Sequence, residues 1–274
     1  MADKATCNKN DVTSRSRSGT DPNTCLEVFK SHWIQVRSLM QGVTEVQHTG
    51  SVIHRSLLEA VSTIIRYLDQ MSLLLVEEAS FDGGQGPILQ YIIEDEVLDK
   101  LITWSLNQNA CLERLKSHHL SMFDMIIIQS RQEILVHKPI MQPMLRLLAS
   151  CKDSEDKSVE PQLVSVLKQT CIAVSQNTTL LEVLFSANMD QGPARFLVFS
   201  LLIPFIHREG SVGQEAREAL LLIMSLSAKN ETIGHYIANN SDFCPVSKLS
   251  LQLNSKLSTF WSQNLIIYSC LPPG

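Results

Sequence analysis

The chain has 274 residues, 44% hydrophobic and 19% charged, with 28 acidic against 23 basic side chains and a formal net charge of -5. That length and apolar content allow a sizeable buried core in one or two domains. The acid excess offers no positive field to nucleic acid or anionic lipid, and aromatics at 6% give few stacking platforms for single strands.

Residues 1–20 are polar, rich in Ser, Arg, Asp and Asn, and read as a disordered tail. Ser14-Arg15-Ser16-Arg17-Ser18 is too short to stand as more than part of that tail. The start, Met1 to Cys7, lacks the apolar stretch of a secretory signal. Helical structure is expected from Asp21-Pro22, a capping residue before a proline at the first helical position. Leu26, Phe29, Trp33 and Val36 or Ile34 point inward, and Gly42 to Gly50 reads as a loop. Leu57, Val61, Ile64, Ile65, Leu68, Met71 and Leu75 then follow the three-and-four spacing of a helix.

Phe81-Asp82-Gly83-Gly84-Gln85-Gly86-Pro87 interrupts that period. A phosphate cradle requires a preceding strand and, in the P-loop case, a following Gly-Lys-Ser/Thr. With neither present, the segment reads as an interhelical loop, with Pro87 opening the next helix. Helical spacing resumes with Leu89, Ile92, Leu98, Leu101, Ile102 and Leu106, then with Leu112, Leu115, His119, Met122 and Ile126. His118 and His119 are neighbours and point about 100° apart on a helix, so they read as structural histidines rather than a metal pair. Pro139 and Pro143 mark short helical starts. Lys152 to Lys157 is a charged loop. Leu163, Val166, Leu167, Thr170, Cys171 and Val174 form another stripe, and Thr178 to Phe185 one more short helix.

The chain is organised around residues 194–246. From Phe196 to Ile206 only Ser200 and Pro204 interrupt the apolar run, which marks a buried helix. Pro204 bends or frays its end. His207 and Arg208 suit its last turn, and Gly210 can take the left-handed conformation that terminates a helix. In the next helix Ala216, Ala219, Leu220, Ile223 and Ser227 share a face, with Gln214, Glu215, Arg217 and Glu218 in its first turn. The two helices are expected to pack as an antiparallel pair, followed by a short third helix.

About ten helices and no convincing strand make the fold class all-α: an α-solenoid of stacked antiparallel helix pairs, armadillo- or HEAT-like. No apolar run approaches the roughly 20 residues of a spanning helix. The seven cysteines at 7, 25, 111, 151, 171, 244 and 270 form no Cys-x-x-Cys pair. They read as reduced thiols of a cytosolic protein, in which the glycosylation patterns at Asn177 and Asn230 would stay unused. No Gly-x-Ser-x-Gly, His-Glu-x-x-His, Walker or kinase set occurs. Glu77-Glu78 and Glu94-Asp95-Glu96 read as solvated or dipole-favoured carboxylates at helix ends. No catalytic, cofactor-binding or metal residue is assigned, and no partner-binding residue is identified. His207, Arg208 and Glu209 form the most reactive-looking cluster, but lack a nucleophile and an oxyanion hole.

Residues 196–222, Phe-Leu-Val-Phe-Ser-Leu-Leu-Ile-Pro-Phe-Ile-His-Arg-Glu-Gly-Ser-Val-Gly-Gln-Glu-Ala-Arg-Glu-Ala-Leu-Leu-Leu, resemble the FTS- and Hook-interacting protein family (FHIP). Tyr236-Ile237-Ala238 and Phe243-Cys244-Pro245-Val246 continue the likeness. Upstream it takes in His32-Trp33 with Val36, Leu73 to Glu78, Leu98-Asp99-Lys100-Leu101, Trp104-Ser105-Leu106, Gln129 to Gln132 and His137-Lys138-Pro139. It covers roughly residues 25–246. The resemblance implies an α-helical solenoid without catalytic activity or cofactor. Its partners are FTS, a Hook-family adaptor and an endosomal Rab GTPase, in a complex linking cytoplasmic dynein to vesicles. It places the chain in the cytoplasm and on endosomal vesicles, and makes it the N-terminal portion of a longer family pattern. Residues 247–274 read as a divergent or truncated end that carries Leu251, Leu257, Phe260 and Trp261. Two alternatives stay open: a partner-deficient or regulatory truncated form, and an enzyme using the turn at 207–209.

Overall fold

The computed structural model describes residues 21–49, 54–82, 85–108, 112–130, 134–152, 157–177, 179–188 and 197–227. The polar tail, Gly83-Gly84, the short third helix after residue 227 and the end at 247–274 lie outside the described residues. Among those residues the structure is all-α, with ten α-helices and no strand. They are α1 (Pro22–Thr49), α2 (His54–Asp82), α3 (Pro87–Glu94), α4 (Val97–Leu106), α5 (Leu112–Gln129), α6 (Lys138–Ser150), α7 (Glu160–Gln176), α8 (Thr179–Asn188), α9 (Leu197–Leu202) and α10 (Gly210–Ser227).

α1 begins as its sequence requires: the Asp21 carboxylate accepts the Thr24 N–H at 3.2 Å and Pro22 follows. Phe29, Trp33 and Val36 are buried whereas Ile34 is exposed, so Val36 is the inward residue. The expected loop from Gly42 is corrected, because α1 runs on to Thr49. Met40 and Val43 continue the buried stripe of Val36 at helical spacing. One glycine in a helix costs only about 1 kcal/mol, and burial of that stripe outweighs it. In α2, Leu57, Val61, Ile64, Leu68, Met71 and Leu75 are all buried.

Pro87 opens α3 as expected, with Gly86 at the cap. Glu78 does not mark a helix end: it lies inside α2, and its carboxylate accepts the backbone N–H groups of Ile88 and Leu89 at 2.7 and 2.9 Å. A carboxylate at those two orphan donors satisfies the first turn and suits the positive end of the helix. The α3–α4 corner passes through Glu96, at φ 50. There Asp95 accepts the Trp33 indole N–H at 2.7 Å and pairs with Lys100 at 3.0 Å, tying the corner to α1.

Two further expectations need correction. Pro139 stands in the first turn of α6, but Pro143 starts nothing, since it lies buried inside the same helix. Its neighbours Met141, Met144, Leu145, Leu147 and Leu148 are all buried, so packing holds one continuous helix together across it. The central pair also differs. α9 has six residues and passes at Ile203–Phe205 into a 3-10 turn holding Pro204, so it is too short to pair along its length. α10 packs chiefly on α7 instead. Gly210 does adopt a left-handed conformation, at φ 77, but it opens α10 rather than closing a helix. Gln214, Glu215, Arg217 and Glu218 therefore fall beyond the first turn. The shared face is as expected: Ala216, Ala219, Leu220 and Ile223 are buried.

The contacts arrange the helices in two rows. One passes from α1 through α2, α5 and α7 to α10, and the other runs from α3 through α4 and α6 to α8. The larger of two apolar clusters lies between them, extending from Phe29 in α1 to Leu226 in α10. A smaller one of Val43, Leu57, Val61 and Leu115 closes the junction of α1, α2 and α5.

Candidate functional site

Among the described residues the turn at 207–209 gathers no catalytic set. His207, Arg208 and Glu209 are all exposed. Arg208 pairs with Glu160 of α7 at 2.8 Å, while Arg217 donates to the Ile206 carbonyl oxygen at 2.8 Å. These two arginines fasten the turn to α7 and α10. At the start of α3 the Glu78 carboxylate already occupies the backbone N–H groups of Ile88 and Leu89 that an anion would use.

The two histidines diverge as their spacing requires. His118 faces Asp69 of α2 at 2.8 Å, and His119 meets the Ser105 hydroxyl of α4 at 2.8 Å. The second pair has the elements of a nucleophile and base, but His119 is fully buried. Burial and then the charge of His118 push its pKa down to about 3. A general base must take a proton near neutral pH within reach of a substrate. This imidazole instead ties α4 to α5. The described cysteines Cys25, Cys151 and Cys171 are free. Burial raises all three thiols, Cys151 to about 11, which makes them poor nucleophiles. Among the described residues no group of three His, Cys, Asp or Glu could hold a metal, and no helix is long and apolar enough to cross a membrane.

The geometry places an open groove of about 460 Å³ between α5 and α7. Helical spacing along α5 brings Ser121, Asp124, Met125 and Ile128 to its edge, while Pro161, Gln162 and Ser165 line the α7 side. Ile128 is 54% exposed. Asp124 is half-buried and accepts the Ser165 hydroxyl at 3.0 Å. Burial pushes its pKa up, the Ser165 bond pulls it down, and Glu215 of α10 pushes it up again. Sequence reasoning missed this groove. The signal was the run Met125-Ile126-Ile127-Ile128: four consecutive apolar residues cannot all face one side of a helix. Ile126 and Ile127 are buried, leaving Ile128 at the surface.

The described residues thus form an all-α body whose polar centres join helices and whose α5–α7 face is open. A family model described as RAI16-like, retinoic acid induced 16-like protein, matches residues 88–273. The chain belongs to this RAI16-like, or FHIP, family. It is 41% identical over 257 residues to FHF complex subunit HOOK-interacting protein 1A of Homo sapiens, covering 93% of this chain and 25% of that protein. The Mus musculus counterpart is 42% identical over 245 residues, covering 89% of this chain and 23% of that protein. HOOK-interacting protein 1B of Danio rerio is 39% identical over 239 residues, covering 82% and 20%. The chain therefore spans about a quarter of the length of these relatives.

Proposed function

We propose that this chain is a non-enzymatic scaffold of a Hook-containing complex, joining FTS and a Hook-family adaptor and linking dynein to endosomal vesicles through a Rab GTPase. The observation that carries this reading is 41% identity across 93% of the chain to a relative named as a HOOK-interacting FHF subunit. The two rows of helices support it, because stacked helices of this kind extend as a solenoid and present long faces to partners. The buried His119 and the tethered turn at 207–209 support a structural rather than catalytic use of the chain's reactive side chains.

Co-expression with FTS and the C-terminal segment of a Hook adaptor tests the reading. Recovery of all three on one affinity tag is the expected result. A folded chain that recovers neither partner overturns it. A second reading is a truncated, partner-deficient or regulatory form that keeps only some of these contacts. Separate pull-downs with FTS–Hook and with GTP-loaded endosomal Rab distinguish the two.

A further inference from the structure

The ion pairs at the helix joints follow a pattern. Asp95 has Lys100, Asp99 has Arg146, Glu160 has Arg208 and Glu218 has Lys168. Asp124 departs from it. Among the described residues its hydrogen-bond partner is the neutral Ser165 hydroxyl, and the charge that acts on it, Glu215 of α10, is of the same sign. Beside it, the Gln162 Oε1 is buried without a donor. Among the described residues this half-buried carboxylate has no cation beside it, and its groove neighbours Met125, Ile128 and Pro161 present apolar surface. From residue 121 to 129 the α5 edge of the groove is about 12 Å long, roughly two helical turns.

We propose that this groove docks an amphipathic helix of a protein partner, which sets a Lys or Arg on Asp124 and apolar side chains over Met125, Ile128 and Pro161. Charge complementarity selects the occupant. The groove supplies acceptors, so the incoming helix supplies donors, and burial strengthens a charge-assisted bond relative to one in open water. Apolar residues one turn to either side follow the usual pattern of a helix seated in a groove. The proposal rests on the adaptor reading for the existence of a partner, but the two can fail separately.

The test uses the full chain and a short synthetic amphipathic helix of Leu and Lys as the probe, followed by fluorescence anisotropy. Its Leu and Glu counterpart is the charge control. Saturable binding of the Lys helix is expected, weakened at least about tenfold by Asp124→Asn and by Ile128→Gln. Glu27→Gln, an exposed carboxylate on α1, should leave it unchanged. Equal affinity across all variants, or equal binding of the Glu helix, overturns the proposal. Both groove side chains are at least partly exposed, and melting curves verify that each variant folds. A photoreactive residue at position 128 separates other occupants. A crosslink to residues 247–274, which contain Lys248 and Lys256 and no Asp or Glu, or to a second copy of the chain, assigns the groove elsewhere and overturns a partner helix. Co-purification with FTS and Hook, without dependence of the probe on Asp124 and Ile128, removes the groove and leaves the adaptor reading in place. The reverse pattern does the opposite.

Discussion

Burial holds His119 neutral where an exposed imidazole would protonate. Its folded pKa lies at about 3 against an ordinary value of 6.5. Above 6.5 both folded and unfolded chains are neutral there, and the contribution to stability is constant. Between 6.5 and about 3 only the unfolded chain takes up the proton, so stability falls as the pH falls, by up to about 1.4 kcal/mol per pH unit. Urea unfolding at pH 7.5 and pH 5 should show that loss, and His119→Gln should remove this part of the pH dependence whatever it does to absolute stability. Asp95 has a different balance. Burial pushes its pKa up, but the Trp33 and Lys100 hydrogen bonds outweigh it and hold the carboxyl below its usual value. Its stabilising share is present above the ordinary carboxylate pKa and is lost as the pH drops through and below it. Trp33→Phe keeps an aromatic side chain but a smaller one, so at this fully buried site it removes the 2.7 Å bond and leaves a gap, and only the bond's share of the cost depends on pH. That share is about 1–3 kcal/mol at neutral pH, shrinking in acid, as chemical unfolding at two pH values would register.

At the scale of single elements, the start of α3 depends on a residue from the preceding helix. Glu78 reaches forward from α2 to cap Ile88 and Leu89. A side chain at Gly86 would run into that carboxylate. Gly86 itself is extended, at φ -75, so its backbone would accept alanine and the collision with Glu78 is the constraint. Glu78→Ala should cost about 1–2 kcal/mol. Gly86→Ala should cost a similar amount by displacing the cap, and the double variant little more than either one. Additive losses in a melting series would show that Gly86 acts through something other than Glu78.

Across the whole molecule, the core is shared rather than divided. One apolar cluster joins α1 to α10, with Trp33 and Ile223 fully buried and Leu201 4% exposed. Leu201→Ala and Ile223→Ala should each destabilise by about 2–5 kcal/mol, the range for a buried aliphatic cut back to a methyl. Because the cluster is continuous, these variants and Trp33→Phe should all shift the same transition, followed by circular dichroism and by tryptophan fluorescence. Separate transitions for the α1 and α10 ends would show that the two ends of the cluster unfold as independent units.

Local periodicity made most helices legible. Asp21-Pro22 specified the start of α1. Phe29, Trp33 and Val36, then Leu57 to Leu75, then Leu163 to Val174, marked which faces go inward, because a helix repeats its burial within its own few turns. Where the reading failed, distant packing outweighed a local rule. Met40 and Val43 carried α1 through Gly42, a buried Pro143 stayed inside α6, and α10 packed more on α7 than on its chain neighbour α9. The same cause hid the groove. Asp124 and Ser165 are 41 positions apart, and nothing in either stretch says that α5 will lie beside α7. What the amino-acid order determined by itself was the all-α character and the inward face of most helices. Helix partners, the cap from Glu78, the neutral His119 and the acidic groove were decided by tertiary packing, since each needs side chains from two helices brought together by burial of the common core.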